Sequence, residues 1–201
     1  MASHTRTIAT LIGSRICHDL ISPIGAIQNG IELLTMEGKT GPEIALIEDS
    51  VRNASARIRF MRVAFGMAGG GQTMGRAEIT SILADLGQSG RVQFDWQPTE
   101  DCVRTAVQEV FLALMCLETA MPRGGPITIS KVDGAWTISG MAEKNRPDAR
   151  LWDILCGADP GGDAVLPAHV QFTLLPEILN DRGVRAEVAS DPDLMTIRFP
   201  A

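Results

Sequence analysis

The sequence predicts an α+β protein in which a helical hairpin precedes a sheet that helices cover on one face. Over roughly the first third of the chain, apolar residues recur in steps of three and four, the spacing of a helix with one buried face. After a glycine-rich run at residues 66–71, helices alternate with short segments that are typical of antiparallel hairpins. We therefore predict a hairpin domain at residues 1–70 and a sandwich domain at residues 71–201.

Composition places the chain among ordinary folded proteins. Of its 201 residues 45% are hydrophobic and 21% are charged, so it can bury a core. A net charge of -6 and a pI of about 5.1 argue against binding to a nucleic-acid backbone or an anionic membrane. No apolar run approaches a membrane span, and no signal peptide opens the chain, so we expect a cytoplasmic protein. Four scattered cysteines indicate buried free thiols and no metal site.

The predicted hairpin consists of two helices with full-length apolar stripes. The first runs from about Thr5 to Met36 and stops at Gly38, because a glycine there suits a C-terminal cap. Thr40 and Glu43 stand at capping-box spacing and predict the start of the second helix. Its stripe is Ile44, Ile47, Val51, Ala54, Ile58, Met61 and Phe65. An isolated pair of helices leaves part of both stripes uncovered, so we predict a homodimer joined in a four-helix bundle.

The glycine-rich run at 66–71 predicts a hinge between the two domains. Beyond it, Asp133 and Gly134 give a strong signal for a hairpin turn. We expect helices at Glu78–Leu86, Val103–Ala120, Ala149–Cys156 and Ala168–Asn180. We expect strands at Val92–Trp96, Ile127–Val132, Trp136–Met141, Val184–Val188 and Leu194–Phe199.

His18 is the candidate reactive residue. On a helical wheel it falls almost opposite the centre of the first helix's stripe, and a neutral imidazole is nucleophilic near pH 7. That stripe is Ile12, Ile16, Leu20, Ile24, Ile27, Ile31 and Leu34. Ser22 and Gly25, small residues on the next turns, leave room for a partner's surface. Asp19 either pairs with Arg15 as a surface charge or orients the imidazole and raises the basicity of its attacking nitrogen.

Four arginines make the second helix locally basic in an acidic protein: Arg52, Arg57, Arg59 and Arg62. They form either a solvated face or a docking surface for an acidic partner. The predicted partner-binding residues are Arg15, Ser22, Gly25, Arg59 and Arg62.

The His18–Asp19 pair, followed by a proline five residues beyond the histidine, resembles the phosphoacceptor motif of two-component histidine kinases. With residues 14–26, 62–66 and 122–125 taken together, the chain is similar from end to end to the ChpT-type histidine phosphotransferases of alphaproteobacteria. The resemblance implies that His18, assisted by Asp19, accepts phosphate from a receiver-domain aspartate and passes it to a response regulator. It also implies as partners the receiver of a hybrid histidine kinase, one or more response regulators and a second copy of the chain. Mg²⁺ is expected in the receiver, and no cofactor in this chain.

By the same resemblance, the second domain looks like a histidine-kinase-ATPase-like α/β sandwich that lacks the ATP site. Leu114 and Glu118 stand where kinases carry two asparagines. Residues 142–145 replace an Asp-x-Gly-x-Gly loop, and residues 167–171 replace a glycine-rich phosphate loop. A phosphate cradle needs glycines and free backbone N–H groups at a helix start. We therefore expect no ATP binding and no kinase activity.

Three other functions remain open at this point. An ATP-dependent sensor kinase core would retain labelled ATP. A non-catalytic scaffold or anti-sigma-type binding protein would be indifferent to the loss of His18. A phosphatase of response regulators would also use the neighbourhood of Asp19.

Overall fold

The computed structural model of the chain describes residues 13, 20–21, 24–39, 41–69, 71–141, 145, 147–159 and 165–201, and within them it confirms the α+β class. Helix α1 covers residues 13, 20–21 and 24–36 of this part. The helices that follow are α2 (Pro42–Phe65), α3 (Arg76–Ser89), α4 (Arg104–Ala120), α5 (Ala149–Leu155) and α6 (Gln171–Asp181), with a 3-10 turn at Pro167–His169. The strands are β1 (Thr73–Met74), β2 (Val92–Trp96), β3 (Cys102–Val103), β4 (Gly125–Val132), β5 (Ala135–Met141), β6 (Glu187–Ser190) and β7 (Leu194–Pro200). No helix in these ranges is long and apolar enough to cross a membrane.

Helix α1 ends at Gly38, as predicted. The φ angle of Gly38 is 75°, in the left-handed region that glycine adopts without strain. Its N–H donates to the carbonyl of Thr35, and the N–H of Lys39 donates to the carbonyl of Leu34, both at 3.0 Å. These two bonds satisfy carbonyls that the end of a helix leaves free, in the pattern of a Schellman motif.

The start of α2 differs from the prediction. Its N-cap is Gly41, so no side chain caps the first turn, and the predicted capping box is wrong in this respect; Thr40 itself lies outside the described residues. Pro42 and Glu43 still favour a helix start. The first N–H groups of a helix have no acceptor within it, so the missing N–H of proline costs no hydrogen bond there, and a carboxylate interacts favourably with the helix dipole.

Strands β2 and β4–β7 form a mixed sheet in the order β2-β4-β5-β7-β6. The pairs β4–β5 and β6–β7 are antiparallel, as the predicted hairpins require, and the two hairpins join through the antiparallel pair β5–β7. At the first hairpin, Asp133 and Gly134 have φ angles of 51° and 71°, which is typical of the predicted tight turn. Strand β2 instead pairs parallel to β4, with α4 as the crossover between them. The short antiparallel ribbon of β1 and β3 was not expected from the sequence.

The core lies on one face of the sheet. Along β4, β5 and β7 the residues that face the helices are fully buried, and the alternate ones, apart from Ala135, are polar or exposed. On the outer face, for example, the hydroxyls of Ser139 and Thr196 lie 3.1 Å apart. Helices α3, α4, α5 and α6 contribute the other half of the core. The core residues of the three strands are Ile127, Ile129, Trp136, Ile138, Met195, Ile197 and Phe199.

The last turns of α2 belong to this same core. The ring of Phe60 stacks on that of Phe111 of α4, with centroids 4.6 Å apart and planes 10° from parallel. Val63 and Ala64 are buried beside them. The predicted hinge at residues 66–71 is therefore corrected, because the helix before it is packed against α3 and α4. The boundary between residues 70 and 71 stays a prediction.

Candidate functional site

Several residues of the predicted site lie outside the described residues. These are Arg15, Ser22, His18 and Asp19. The structure describes helical residues on both sides of His18, namely Gly13 and Leu20. A Cβ built on Gly13 would lie 3.6 Å from the Cβ of Phe65, so the two helices of the hairpin approach each other at the C-terminal end of α2.

Gly25 is the first predicted contact residue that can be placed. It is half-buried, and a Cβ built on it would meet no atom of another element within 4 Å among the described residues. Packing against the described part of the chain therefore does not require a glycine at this position. The space beside it is compatible with the predicted contact to a partner, which stays a prediction.

The arginines of α2 make different contacts. Arg52 pairs with Glu48 at 2.9 Å, and Nε of Arg57 donates to Asn53 at 3.1 Å, both within the helix. Exposed pairs of this kind contribute little to stability, typically a few tenths of a kcal/mol. These contacts leave both side chains on the exposed surface of the hairpin, where either interpretation of the basic face remains open.

Arg59 and Arg62 lie where α2 meets the second domain. The guanidinium of Arg59 forms an ion pair with Asp85 of α3, so its charge already has a partner within the chain. The carbonyl oxygen of Arg62 accepts from the N–H of Gly66 at 3.1 Å and from Nη2 of Arg104 at 2.9 Å. Arg62 is one of the residues that line a cavity of about 260 Å³. Whether either residue binds a partner stays a prediction.

Arg104 and Gln108, one turn apart on α4, are functional candidates that the sequence reasoning missed. Gln108 Nε2 donates to the carbonyls of Ala64 and Gly66, so α4 supplies donors to the end of α2. Burial lowers the pKa of Arg104, and the charge of Arg62 lowers it further. A signal was present: Arg104, Gln108 and Glu109 are polar residues in the first half of a helix whose middle, from Val110 to Leu117, is entirely apolar.

The structure describes some of the residues that stand where kinases carry their ATP-binding elements. Leu114 is 0% exposed in the core, where its side chain cannot reach a ligand. Burial raises the pKa of Glu118, while the charges of Arg57 and Arg91 lower it. Pro167–His169 form a 3-10 turn before α6, and of residues 142–145 the structure describes Asn145 alone.

The thiols are as predicted except at one position. Cys102 and Cys116 are free and buried, whereas Cys156, also free, is exposed because it caps the end of α5 at the surface. Cys17 lies outside the described residues. In the part of the chain described above, no three His, Cys, Asp or Glu side chains are grouped so as to hold a metal ion. That the chain has no cofactor of its own stays a prediction.

Comparison with known proteins identifies the family. The family model of the histidine phosphotransferase C-terminal domain matches residues 76–193, more than half of the chain. The protein phosphotransferase ChpT of Brucella abortus (strain 2308) is 33% identical over 190 residues, which cover 90% of this chain and 89% of that protein. A solved structure of a bacterial phosphotransferase matches with a TM-score of 0.71 at 26% identity, covering 99% of this chain and 97% of that one. The chain therefore belongs to the histidine phosphotransferase family, and its predicted function as a histidine phosphotransferase of a phosphorelay is confirmed.

Proposed function

We propose that the chain carries phosphate on His18, between the aspartate of one receiver domain and that of another. The observation that carries this proposal is the family membership, since the similarity to the curated phosphotransferase extends over 90% of the chain. The first donor is the receiver of a hybrid histidine kinase, and the acceptor is a response regulator. Asp19 is the second catalytic residue, because a carboxylate beside the ring can orient it and raise the basicity of the attacking nitrogen.

The transfer needs few groups from this chain. A ring nitrogen of neutral His18 attacks the phosphorus of the aspartyl phosphate, an N–P bond forms, and the P–O bond to the aspartate breaks. The aspartate leaves as a carboxylate. The reverse sequence on the second receiver regenerates the free imidazole. Alignment and charge neutralisation account for most of the catalysis in phosphoryl transfer, and the Mg²⁺ held by the receiver supplies part of that neutralisation.

The contact with the receivers is proposed at the side of the hairpin that carries Gly25, together with Arg15 and Ser22. The space at Gly25 supports this, since no described residue of another element lies within 4 Å of a Cβ built there, and a partner's main chain could approach it. Arg62 extends the contact toward the second domain. The charge of Arg59 is already paired with Asp85 of α3. We propose that Arg59 supports the receiver contact indirectly, because this ion pair holds its part of α2 against α3.

A homodimer with a four-helix bundle is the proposed assembly. Apolar side chains of α1 and α2 remain exposed in the single chain, among them Leu33, Leu46 and Ile47. A cleft of about 380 Å³ also lies between the two helices, beside Ile31 and Val51. Large apolar side chains left exposed on both helices of the hairpin favour an interaction surface there. A second hairpin that covers these side chains would remove them from water, at roughly 1.5–3 kcal/mol for each fully buried side chain.

The second domain is proposed to have lost ATP binding and kinase activity while keeping its fold. The burial of Leu114 supports this, because a buried leucine stands where a kinase needs a metal-binding amide. The 3-10 turn at Pro167–His169, directly before α6, contains no glycine that could form a phosphate loop. The domain then serves to frame a receiver bound over the hairpin.

The test is transfer from a phosphorylated receiver. The full chain is incubated with a receiver labelled on its aspartate, and the label on the chain is measured before and after acid treatment, since phosphohistidine is acid-labile. We expect label on the wild type and none on His18→Gln or His18→Ala, with the melting temperature unchanged because the helical wheel predicts His18 opposite the apolar stripe. Label on another residue of either variant would contradict the assignment. Equal binding of regulators without any transfer would favour the scaffold.

A further inference from the structure

The residues on both sides of the glycine-rich run at 66–71 are bonded to the first turns of α4. Before the run, Nε2 of Gln108 donates to the carbonyl of Gly66 at 3.1 Å. After it, the N–H of Arg104 donates to the carbonyl of Gln72 at 2.8 Å. The chain then enters β1, which pairs with β3 directly before α4. Because one helix holds both sides of the run, rotation about its glycines cannot move α2 relative to α4.

The last two turns of α2 are also held by side chains from two directions. Toward α4, the ring of Phe60 stacks on that of Phe111, with centroids 4.6 Å apart. Toward α3, the guanidinium of Arg59 forms an ion pair with Asp85. Contacts with two different helices fix the direction of α2 as well as its position. The second domain therefore has one orientation relative to this end of the hairpin.

Gln108 contributes the bonds of this junction that come from a single neutral side chain. It is 9% exposed, and its Nε2 donates to the carbonyl of Ala64 at 3.0 Å in addition to that of Gly66. The carbonyls at the end of a helix have no partner within the helix. Removal of the amide therefore takes a donor from two carbonyls at once, in a place that water reaches poorly.

We propose that Gln108 is a positioning residue, which holds the second domain at one orientation to the hairpin so that a receiver domain contacts both together. The receiver is the partner named in the proposed function, on which this inference rests. A surface whose two parts are already in place binds more tightly, because no free energy is spent on ordering them. Gln108 is buried, so it acts through α2 and not by contact with the receiver.

The test compares the full chain with its Gln108→Ala variant in two measurements. The first is calorimetric titration with the isolated, unphosphorylated receiver, and the second is the transfer rate at saturating phosphorylated receiver. A protein that populates the competent orientation about a fifth of the time binds about fivefold more weakly. We therefore expect Gln108→Ala to raise Kd about fivefold. The transfer rate at saturation should stay within about twofold, because the bound complex is the same.

The matched control is Gln171→Ala. Gln171 is also a buried glutamine, 2% exposed, but its Nε2 donates to Thr119 within the second domain, at 3.3 Å. This variant should leave Kd within about twofold of the wild type, because the altered bond is far from the junction. Gln108→Met keeps most of the side-chain volume and donates no bond, so it should raise Kd as Gln108→Ala does. Phe60→Leu weakens the stack on Phe111 while keeping an apolar side chain; it should also raise Kd, and it serves if Gln108→Ala does not fold.

Three outcomes would overturn the inference: an unchanged Kd in Gln108→Ala and Phe60→Leu, an equal rise in Gln171→Ala, or a wild type that does not bind the receiver. An equal rise in the control would mean that lower stability alone weakens binding. Failure of the proposed chemistry gives a different result. A wild type that binds the receiver but accepts no phosphate would contradict the role of His18, and the Kd values would still decide the role of Gln108.

Discussion

The side-chain nitrogen Nε2 of Gln108 donates to two main-chain carbonyls at the end of α2, those of Ala64 at 3.0 Å and Gly66 at 3.1 Å. The last turn of a helix leaves such carbonyls without a partner, and here the second domain supplies the donors. Arg104 adds a bond of the same kind to the carbonyl of Arg62. The C-terminal end of the hairpin is therefore capped by the domain that follows it.

This cap predicts the effect of Gln108→Ala. Two carbonyls would lose a buried donor, so we expect a loss of about 1–3 kcal/mol in the free energy of unfolding, measured in urea. For a chain of this length that corresponds to several degrees in the melting temperature, at roughly 2–4 °C per kcal/mol. Gln93→Ala, at an exposed position of β2, is the matched control and should change stability by less than about 0.5 kcal/mol. Equal stability of the two variants would show that the cap contributes nothing.

The proposed dimer is tested with two leucines of similar exposure. Leu46 of α2 is 68% exposed and Leu166, before α6, is 63% exposed. A carboxylate at either position stays in water in the single chain, so neither change should unfold it. Leu46→Asp should dissociate the dimer and Leu166→Asp should not, as measured by light scattering or sedimentation at micromolar concentration. A wild-type chain of monomeric mass would contradict the assembly itself.

A second change in α2 tests the packing of the hairpin itself. Val51 is 8% exposed, so Val51→Asp places a charge in the buried contact between α1 and α2. We expect loss of helical signal in circular dichroism together with loss of the dimer, because a buried unpaired charge is strongly unfavourable. A folded hairpin in this variant would show that the contact between the helices tolerates a charge.

Glu109 predicts a dependence of stability on pH. It is almost fully buried, pairs with Arg182 at 2.6 Å, and burial raises its pKa above the ordinary 4.5 although Arg182 lowers it. A raised pKa means that the folded state binds the proton more tightly than the unfolded state. The group therefore stabilises the fold fully below pH 4.5, and this contribution is lost as the pH rises through the folded pKa.

Glu109→Gln cannot titrate, so its stability relative to the wild type should increase between pH 4.5 and neutral pH. Urea unfolding of both proteins over that range is the measurement. A constant difference between them at every pH would mean that Glu109 has the same pKa in the folded and unfolded states.

The proposed loss of the ATP site predicts no heat of binding when ATP and Mg²⁺ are titrated into the intact chain. Leu114→Asn alone should not create binding, since the new amide would be buried in the core. It should instead lower the free energy of unfolding by about 2–5 kcal/mol, as expected when a buried leucine is lost. Micromolar affinity for ATP would favour the sensor kinase.

The sequence by itself determined the features that depend on residues close together in the chain. Three features are of this kind: the apolar spacing of α3 and α4, the end of α1 at Gly38, and the Asp133–Gly134 turn. Each depends only on residues a few positions apart in the chain, and each is present in the structure. The candidate His18 site rests on the same kind of local motif, and its geometry lies outside the described residues.

What only the tertiary structure decided are contacts between residues far apart in the chain. The parallel pairing of β2 with β4 depends on how α4 crosses between them, and the bonds from Gln108 to α2 join residues more than 40 positions apart. Arg59 appeared available to a partner until Asp85, 26 residues away, was found beside it. The glycine-rich run correctly indicated a chain break but not a hinge. A glycine shows only that the backbone is locally free to turn. The stacking of Phe60 on Phe111 is a long-range contact that fixes α2 against α4, and the glycines do not predict it.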